Sequence, residues 1–197
     1  MHRKLVLASA SPQRRQLLEG LGLPFEVCVT GVEDESDVTH RDPVERAQFF
    51  ARLKAERAHS MHPHAWIIGC DTLVVAADGT LLEKPRGADE ARAMIQLQSG
   101  GTSLVYSGLC VSNPQGEVQE SMSMSSVMFK HLSPSEIDWW IGTRLWEGRS
   151  GSFQIDGLGQ LMIERIEGDW SSIVGLPIFL LGQLLKKAGW LDFPPSP

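Results

Sequence analysis

The 197-residue chain has few cysteines, no long hydrophobic run and a deficit of basic residues, and each shortage removes a class of function. Cys28, Cys70 and Cys110 are odd in number, far apart and not in CxxC spacing. Neither a disulfide framework nor a zinc site is expected, and a reducing compartment is implied. Six apolar or small residues from Leu5 to Ala10 are too few for a signal-peptide core. The most apolar later run, residues 173–182, is ten long and contains Pro177, so no membrane span is expected and the protein is read as cytoplasmic. Eighteen Lys and Arg against 24 Asp and Glu give −6, which disfavours DNA and anionic membrane as partners because neither would meet a basic surface. The motifs GxxxxGK[ST], GxGxxG, HExxH and GxSxG do not occur.

What is present is an ordinary globular composition, 42% hydrophobic and 21% charged, with no repeat or low-complexity linker. Residues 4–8 read as a buried strand, and Ser11-Pro12 opens a helix with Leu17, Leu18 and Leu21 on one face. Residues 25–29 alternate as a strand, and residues 26–46 hold seven carboxylates against two arginines. Residues 43–60 read as a helix with Phe49, Phe50 and Leu53 inward, and residues 66–70 as a buried strand ending at Asp71. Asp78-Gly79 marks a hairpin, residues 88–98 a helix, and residues 102–112 and 118–130 an antiparallel pair joined at Asn113-Pro114-Gln115-Gly116. Ser133 and Glu136 have capping-box spacing before a helix. Strands near 151–155 and 160–166 and a helix over 177–188 follow. The elements make one mixed α/β domain over residues 1–197, with two lobes around a cleft and a proline-rich tail, 193–197, expected to fray.

Chemistry concentrates in a few places. Ser9-Ala10-Ser11-Pro12-Gln13-Arg14-Arg15 sets two hydroxyls, free backbone N–H groups and guanidinium groups at a strand-to-helix junction, the equipment for a phosphate. A plain helix cap with solvated arginines explains the same residues equally well. Asp71 follows an apolar run, where α/β proteins place ligands and where a carboxylate can hold a metal or orient water, or else close an Asx turn. Lys84 precedes Pro85 as a fixed cation or an ordinary surface lysine. Lys54 and Glu33, taken alone, read as solvated charges. Residues 148–159, rich in glycine and carrying Gln154 and Asp156, suit either a base-reading pocket or a hairpin. Trp139, Trp140 and Trp146 read as packing, and His62 and His64 as surface histidines.

These residues resemble the Maf (septum formation inhibitor) family of nucleoside triphosphate pyrophosphatases, related to the inosine triphosphate pyrophosphatase fold. The resemblance rests on LASASPQRRQLL from Leu5, GCDTLVV from Gly69 with EKP from Glu83, GSFQIDGLG from Gly151, and ERIEGDWSSIVGLP from Glu164, in order along nearly the whole chain. It implies a mixed twisted sheet in two lobes, with hydrolysis of the α–β phosphoanhydride to a monophosphate and pyrophosphate using a divalent cation, Mg²⁺ or Mn²⁺. It also implies that Ser9 and Arg14 bind phosphate, that Glu33 serves the metal or water, and that Lys54 and Lys84 neutralise the triphosphate. Asp71 becomes the general base or a metal ligand. Proteins of related fold often dimerise, so a homodimer is the implied assembly.

Substrate signals diverge. The subgroup that resembles dTTP and UTP hydrolases carries arginine where this chain has Gln13 and glutamine where it has Asp156. The subgroup that resembles 7-methyl-GTP hydrolases matches at both positions, and a carboxylate at Asp156 can accept from the N1–H and N2–H₂ donors of guanine. Thr72, by contrast, follows the dTTP-like pattern. The sequence therefore leans to 7-methyl-GTP, with dTTP or UTP as the alternative. A nucleotide-binding regulator of cell division without turnover and a transferase acting on a phosphorylated small molecule are the rival classes.

Overall fold

In a computed structural model of the chain, residues 3–32 and 42–191 are described. Strand β1, Leu5–Leu7, hands over to helix α1, Pro12–Glu19, whose N-cap Ser11 accepts from the N–H of Arg14 with Pro12 in the first turn. After β2, Glu26–Val27, comes α2, Pro43–Met61, started by the Asp42 carboxylate, which accepts from the N–H groups of Val44 and Glu45. Strand β3, Trp66–Val75, turns back through β4, Leu81–Leu82, into α3, Ala88–Gln98. The long strands β5, Thr102–Ser112, and β6, Val118–Phe129, precede α4, Pro134–Thr143, which carries a complete capping box between Ser133 and Glu136. Two 3-10 turns, Ser150–Ser152 and Leu158–Met162, lead to β7, Ile163–Glu167, then α5, Trp170–Val174, and α6, Ile178–Lys187.

The strands join in the order β2-β1-β3-β5-β6-β7, with β4 on β3. β1 is parallel to β2 and β3, whereas β4 and β7 run antiparallel to their neighbours. The sheet is therefore mixed, as expected for this α/β class. By contact density the chain divides into two units. The first comprises the chain up to Asp71, Ser107–Ser123 and the part from Gly175 onward; the second comprises Thr72–Tyr106 and Met124–Val174.

The first unit has an aliphatic core of Leu5, Leu7, Leu18, Ile68, Leu109, Leu181 and Leu185 and a second layer of small residues, Ala51, Ala55, Ala58, Cys110 and Ala65 around Val6 and Ile67. That small-residue layer sets the position of α2. A Cβ on Gly69 would lie 2.1 Å from the Ala51 carbonyl oxygen, and one on Gly108 would lie 2.4 Å from that of Ala47, so the helix backbone rests directly on β3 and β5. The second unit packs Phe129, Trp140, Ile95, Val105, Met162 and Phe153 together, with the Phe129 and Phe153 rings edge to face at 5.3 Å.

Several expectations change. On α2 Phe50 is buried as expected, but Phe49 is 40% exposed and the residues over the two glycines are Ala47, Ala51 and Ala55, where a larger side chain would push the helix away. The strand at 66 does not stop at Asp71; it runs on to Val75. The sequence around 151–155 is no strand, since Gly151 and Ser152 have φ of 71° and 59°, a left-handed pair that turns the chain. The strand at 25–29 shrinks to two residues, and Leu21 lies exposed beyond the end of α1. The tail 193–197 lies outside the described residues.

Candidate active site

Parallel pairing of Leu7 with Ile68 places the residues after β1 beside Gly69 and Cys70. Asp71 therefore lies just past the point where β1 stops and β3 continues, at the carboxyl end of the neighbouring strand. Here the hydroxyl of Ser9, 3% exposed, accepts from the backbone N–H of Ser11 and from Nη1 of Arg14, both at 3.2 Å. Arg14 is itself buried and donates Nε to the Gly175 carbonyl at 2.8 Å. Cys70 Sγ donates to the same oxygen at 3.1 Å. Gly175 thereby links the arginine of α1 to the residue preceding Asp71, and its φ of 132° favours glycine.

Lys54 reaches the site from α2. Its Nζ lies 2.7 Å from Oδ1 of Asp71, with side chains 4% and 15% exposed. Sequence alone reads Lys54 as a solvated helix charge; in the fold it is the one cation on the alanine face of α2. A buried lysine is tolerated when a carboxylate faces it. The first unit thus buries two cationic side chains and one hydroxyl, with a partly buried carboxylate, around the end of β1.

The second unit holds Lys84 and Asp156. Lys84 is exposed after β4, beside Glu83, whose carbonyl accepts from the Gly151 N–H at 3.3 Å. Asp156 is not an isolated acceptor: its Oδ1 takes a hydrogen bond from Nη1 of Arg149 at 3.3 Å, the two side chains being 22% and 19% exposed. Arg149 lies within the glycine-rich segment but has no role in the sequence reading, because a pairing seven residues apart through two left-handed residues follows no helical or strand period. In the same segment the Gln154 side-chain oxygen is buried without a partner among the described residues. Glu33 lies outside the described residues.

Among the described residues, no group of three or more His, Cys, Asp and Glu could hold a metal. Asp71 is one carboxylate, and one or two carboxylates completed by substrate phosphates are the donor set Mg²⁺ commonly takes. Among the described residues the site thus offers a single carboxylate of the kind such a cation takes. The cysteines are poorly placed as nucleophiles: none of the three is in a disulfide, all are buried, and burial pushes the Cys110 thiol up to about 12. Trp140 and Trp146 are core residues as expected, whereas Trp139 is 42% exposed, and among the described residues no helix is long and apolar enough to cross a membrane.

The family model for Maf-like protein matches residues 4–188. A curated relative from Deinococcus radiodurans, named dTTP/UTP pyrophosphatase, is 42% identical over 94% of this chain and 93% of its own length. A relative of the same name from Pyrococcus abyssi is 37% identical over 98% of each chain. Among solved structures, the Staphylococcus aureus Ham1 protein is similar at a TM-score of 0.45 and 13% identity, over 64% of this chain and 72% of that one. The family match and the near full-length relatives give one conclusion: this chain belongs to the Maf-like protein family.

Proposed function

We propose that this chain is a nucleoside triphosphate pyrophosphatase that cleaves dTTP and UTP between the α- and β-phosphates, yielding the monophosphate and pyrophosphate. The observation that carries the reading is the buried Lys54–Asp71 pair in the unit that also buries Ser9 and Arg14. A triphosphate brings about four negative charges, and buried cations beside a carboxylate match its charge and its need for a base. The names of the relatives from Deinococcus and Pyrococcus support this activity and favour dTTP and UTP over the 7-methyl-GTP suggested by Gln13 and Asp156.

Roles follow from each side chain's chemistry. Ser9 and Arg14 hold phosphate oxygens through a hydroxyl and a planar guanidinium. Lys54 and Lys84 offset charge that develops on the departing pyrophosphate. Asp71 accepts a proton from the attacking water, and Lys54 orients that carboxylate at 2.7 Å. Mg²⁺ or Mn²⁺, bound by Asp71 together with the phosphates, would supply Lewis-acid charge compensation.

For the base, the Arg149–Asp156 pair presents a donor beside an acceptor. A uracil or thymine edge places an N–H between two carbonyls and meets such a pair with one hydrogen bond to each residue. Guanine's adjacent N1–H and N2–H₂ donors ask for both carboxylate oxygens and offer nothing to the Arg149 donor directed at one of them. The test is product identification with dTTP and UTP in the presence of Mg²⁺. Monophosphate and pyrophosphate support the proposal; diphosphate and orthophosphate, or tight binding without turnover, refute it.

A further inference from the structure

Gln98 closes α3 as a buried amide, 1% exposed, where an apolar residue would fill the space. Its Nε2 donates to the Met94 carbonyl at 3.0 Å and to the Gly151 carbonyl at 2.7 Å, and its Oε1 accepts from the Ser103 hydroxyl at 3.1 Å. On α4, which packs against α3, the fully buried Trp140 donates Nε1 to the Ser152 carbonyl at 2.8 Å. Two consecutive carbonyls of the 150–152 turn are thus held by two buried donors.

That turn needs holding. Ser152 has φ of 59°, which costs a side-chain-bearing residue roughly 1–2 kcal/mol and persists only where the surroundings enforce it. On one side of the turn stands Arg149 and on the other Asp156, which pair at 3.3 Å. The Gly151 N–H meanwhile fastens the turn to the carbonyl of Glu83, the neighbour of Lys84.

We propose that Gln98 is a positioning residue for base recognition: its amide locks the 150–152 turn so that Arg149 and Asp156 keep their donor–acceptor alignment. Gln98 touches no substrate and acts through the Gly151 carbonyl. The Met94 and Gly151 carbonyls set the sense of the amide, because both can only accept and so require Nε2, and the Ser103 hydroxyl completes the arrangement by donating to Oε1. The proposal rests on the base-reading role given above to the Arg149–Asp156 pair.

Gln98→Met nearly conserves volume while removing both donors, so it separates the hydrogen bonds from the packing. Two readouts apply to the full chain. Without nucleotide, amide exchange over residues 148–157 should accelerate about tenfold while α4 stays protected, about what losing one buried hydrogen bond predicts. Unchanged exchange in that segment would overturn the lock. In turnover, KM for dTTP and UTP should rise about tenfold and the preference over 7-methyl-GTP should narrow, with kcat little changed. A fall in kcat with KM and preference intact would show a merely structural residue and overturn the positioning role. Ser103→Ala, which keeps Gln98 but leaves its buried Oε1 without the hydroxyl donor and so weakens the lock, should give the same pattern at smaller size, and it carries the test if Gln98→Met does not fold. A wild-type protein inactive on every triphosphate would refute the function and the recognition role with it, whereas faster exchange in the variant would still establish the lock.

Discussion

The ammonium of Lys54 and the carboxylate of Asp71 meet at 2.7 Å, joining the middle of α2 to the middle of β3 with both side chains largely buried. Burial makes each the condition for the other. Replacing Lys54 with Met should destabilise the fold by about 3–5 kcal/mol, the usual consequence of leaving one member of a buried pair uncompensated. Lys54→Met combined with Asp71→Asn should regain part of that stability and none of the activity. Thermal or urea unfolding of wild type and the two variants measures it, and a single Lys54 variant as stable as wild type would remove the pair from the account.

Gly69 determines how closely α2 approaches the sheet. A methyl group there would fall 2.1 Å from the Ala51 carbonyl oxygen, so Gly69→Ala must push back the helix that carries Lys54. A stability loss of about 1–3 kcal/mol is expected from the overpacking. Activity should fall further than stability, since a displacement near 1 Å at a catalytic group is worth about a hundredfold. Gly182→Ala, where the added methyl has nothing within 4 Å and the backbone is not left-handed, provides a control without overpacking.

How far the sequence discloses the fold depends on how local each signal is. The capping box at Ser133 and the proline-led helices are local, and they appear where expected. The burial of Lys54 is not local: the period of α2 points to Phe49 and Leu53, and only Gly69 and Gly108, on distant strands, reveal that the packed face must be alanine. The same holds for the Arg149–Asp156 pair, formed by a turn whose left-handed geometry no periodicity announces. Asp71 is singled out because it follows an apolar run, although its strand continues and it is the end of β1 that opens the site.

Glu136 should impose a pH dependence on α4. Its hydrogen bonds from Lys130, first, and from Ser133 hold its carboxyl down at about 2, against 4.5 for the unperturbed group. A depressed folded-state value stabilises above the unfolded value, and that contribution fades as pH falls from about 4.5 toward 2. The melting temperature of Glu136→Gln should therefore lie below wild type at pH 6 and converge on it near pH 2.5. A constant gap across that range would place the effect in packing, not in ionisation.

Arg149→Met should alter base preference with less effect on phosphate chemistry. Without Arg149 the pair loses the donor that meets a uracil or thymine carbonyl while Asp156 still accepts from a guanine edge, and the ratio of kcat/KM for 7-methyl-GTP over dTTP should rise about tenfold, the worth of roughly one hydrogen-bonded contact to a charged group. An unchanged ratio over a panel of triphosphates would exclude the pair from base reading.

The most direct measurement is pyrophosphate release by wild type and Asp71→Asn side by side, with Mg²⁺ and with Mn²⁺, on dTTP, UTP and 7-methyl-GTP. The account predicts release from dTTP and UTP in preference to 7-methyl-GTP, and a loss of about 10²-fold to 10⁴-fold in the variant, as expected for removing a general base. Release by Asp71→Asn at the wild-type rate, or binding without release by the wild type, would contradict it.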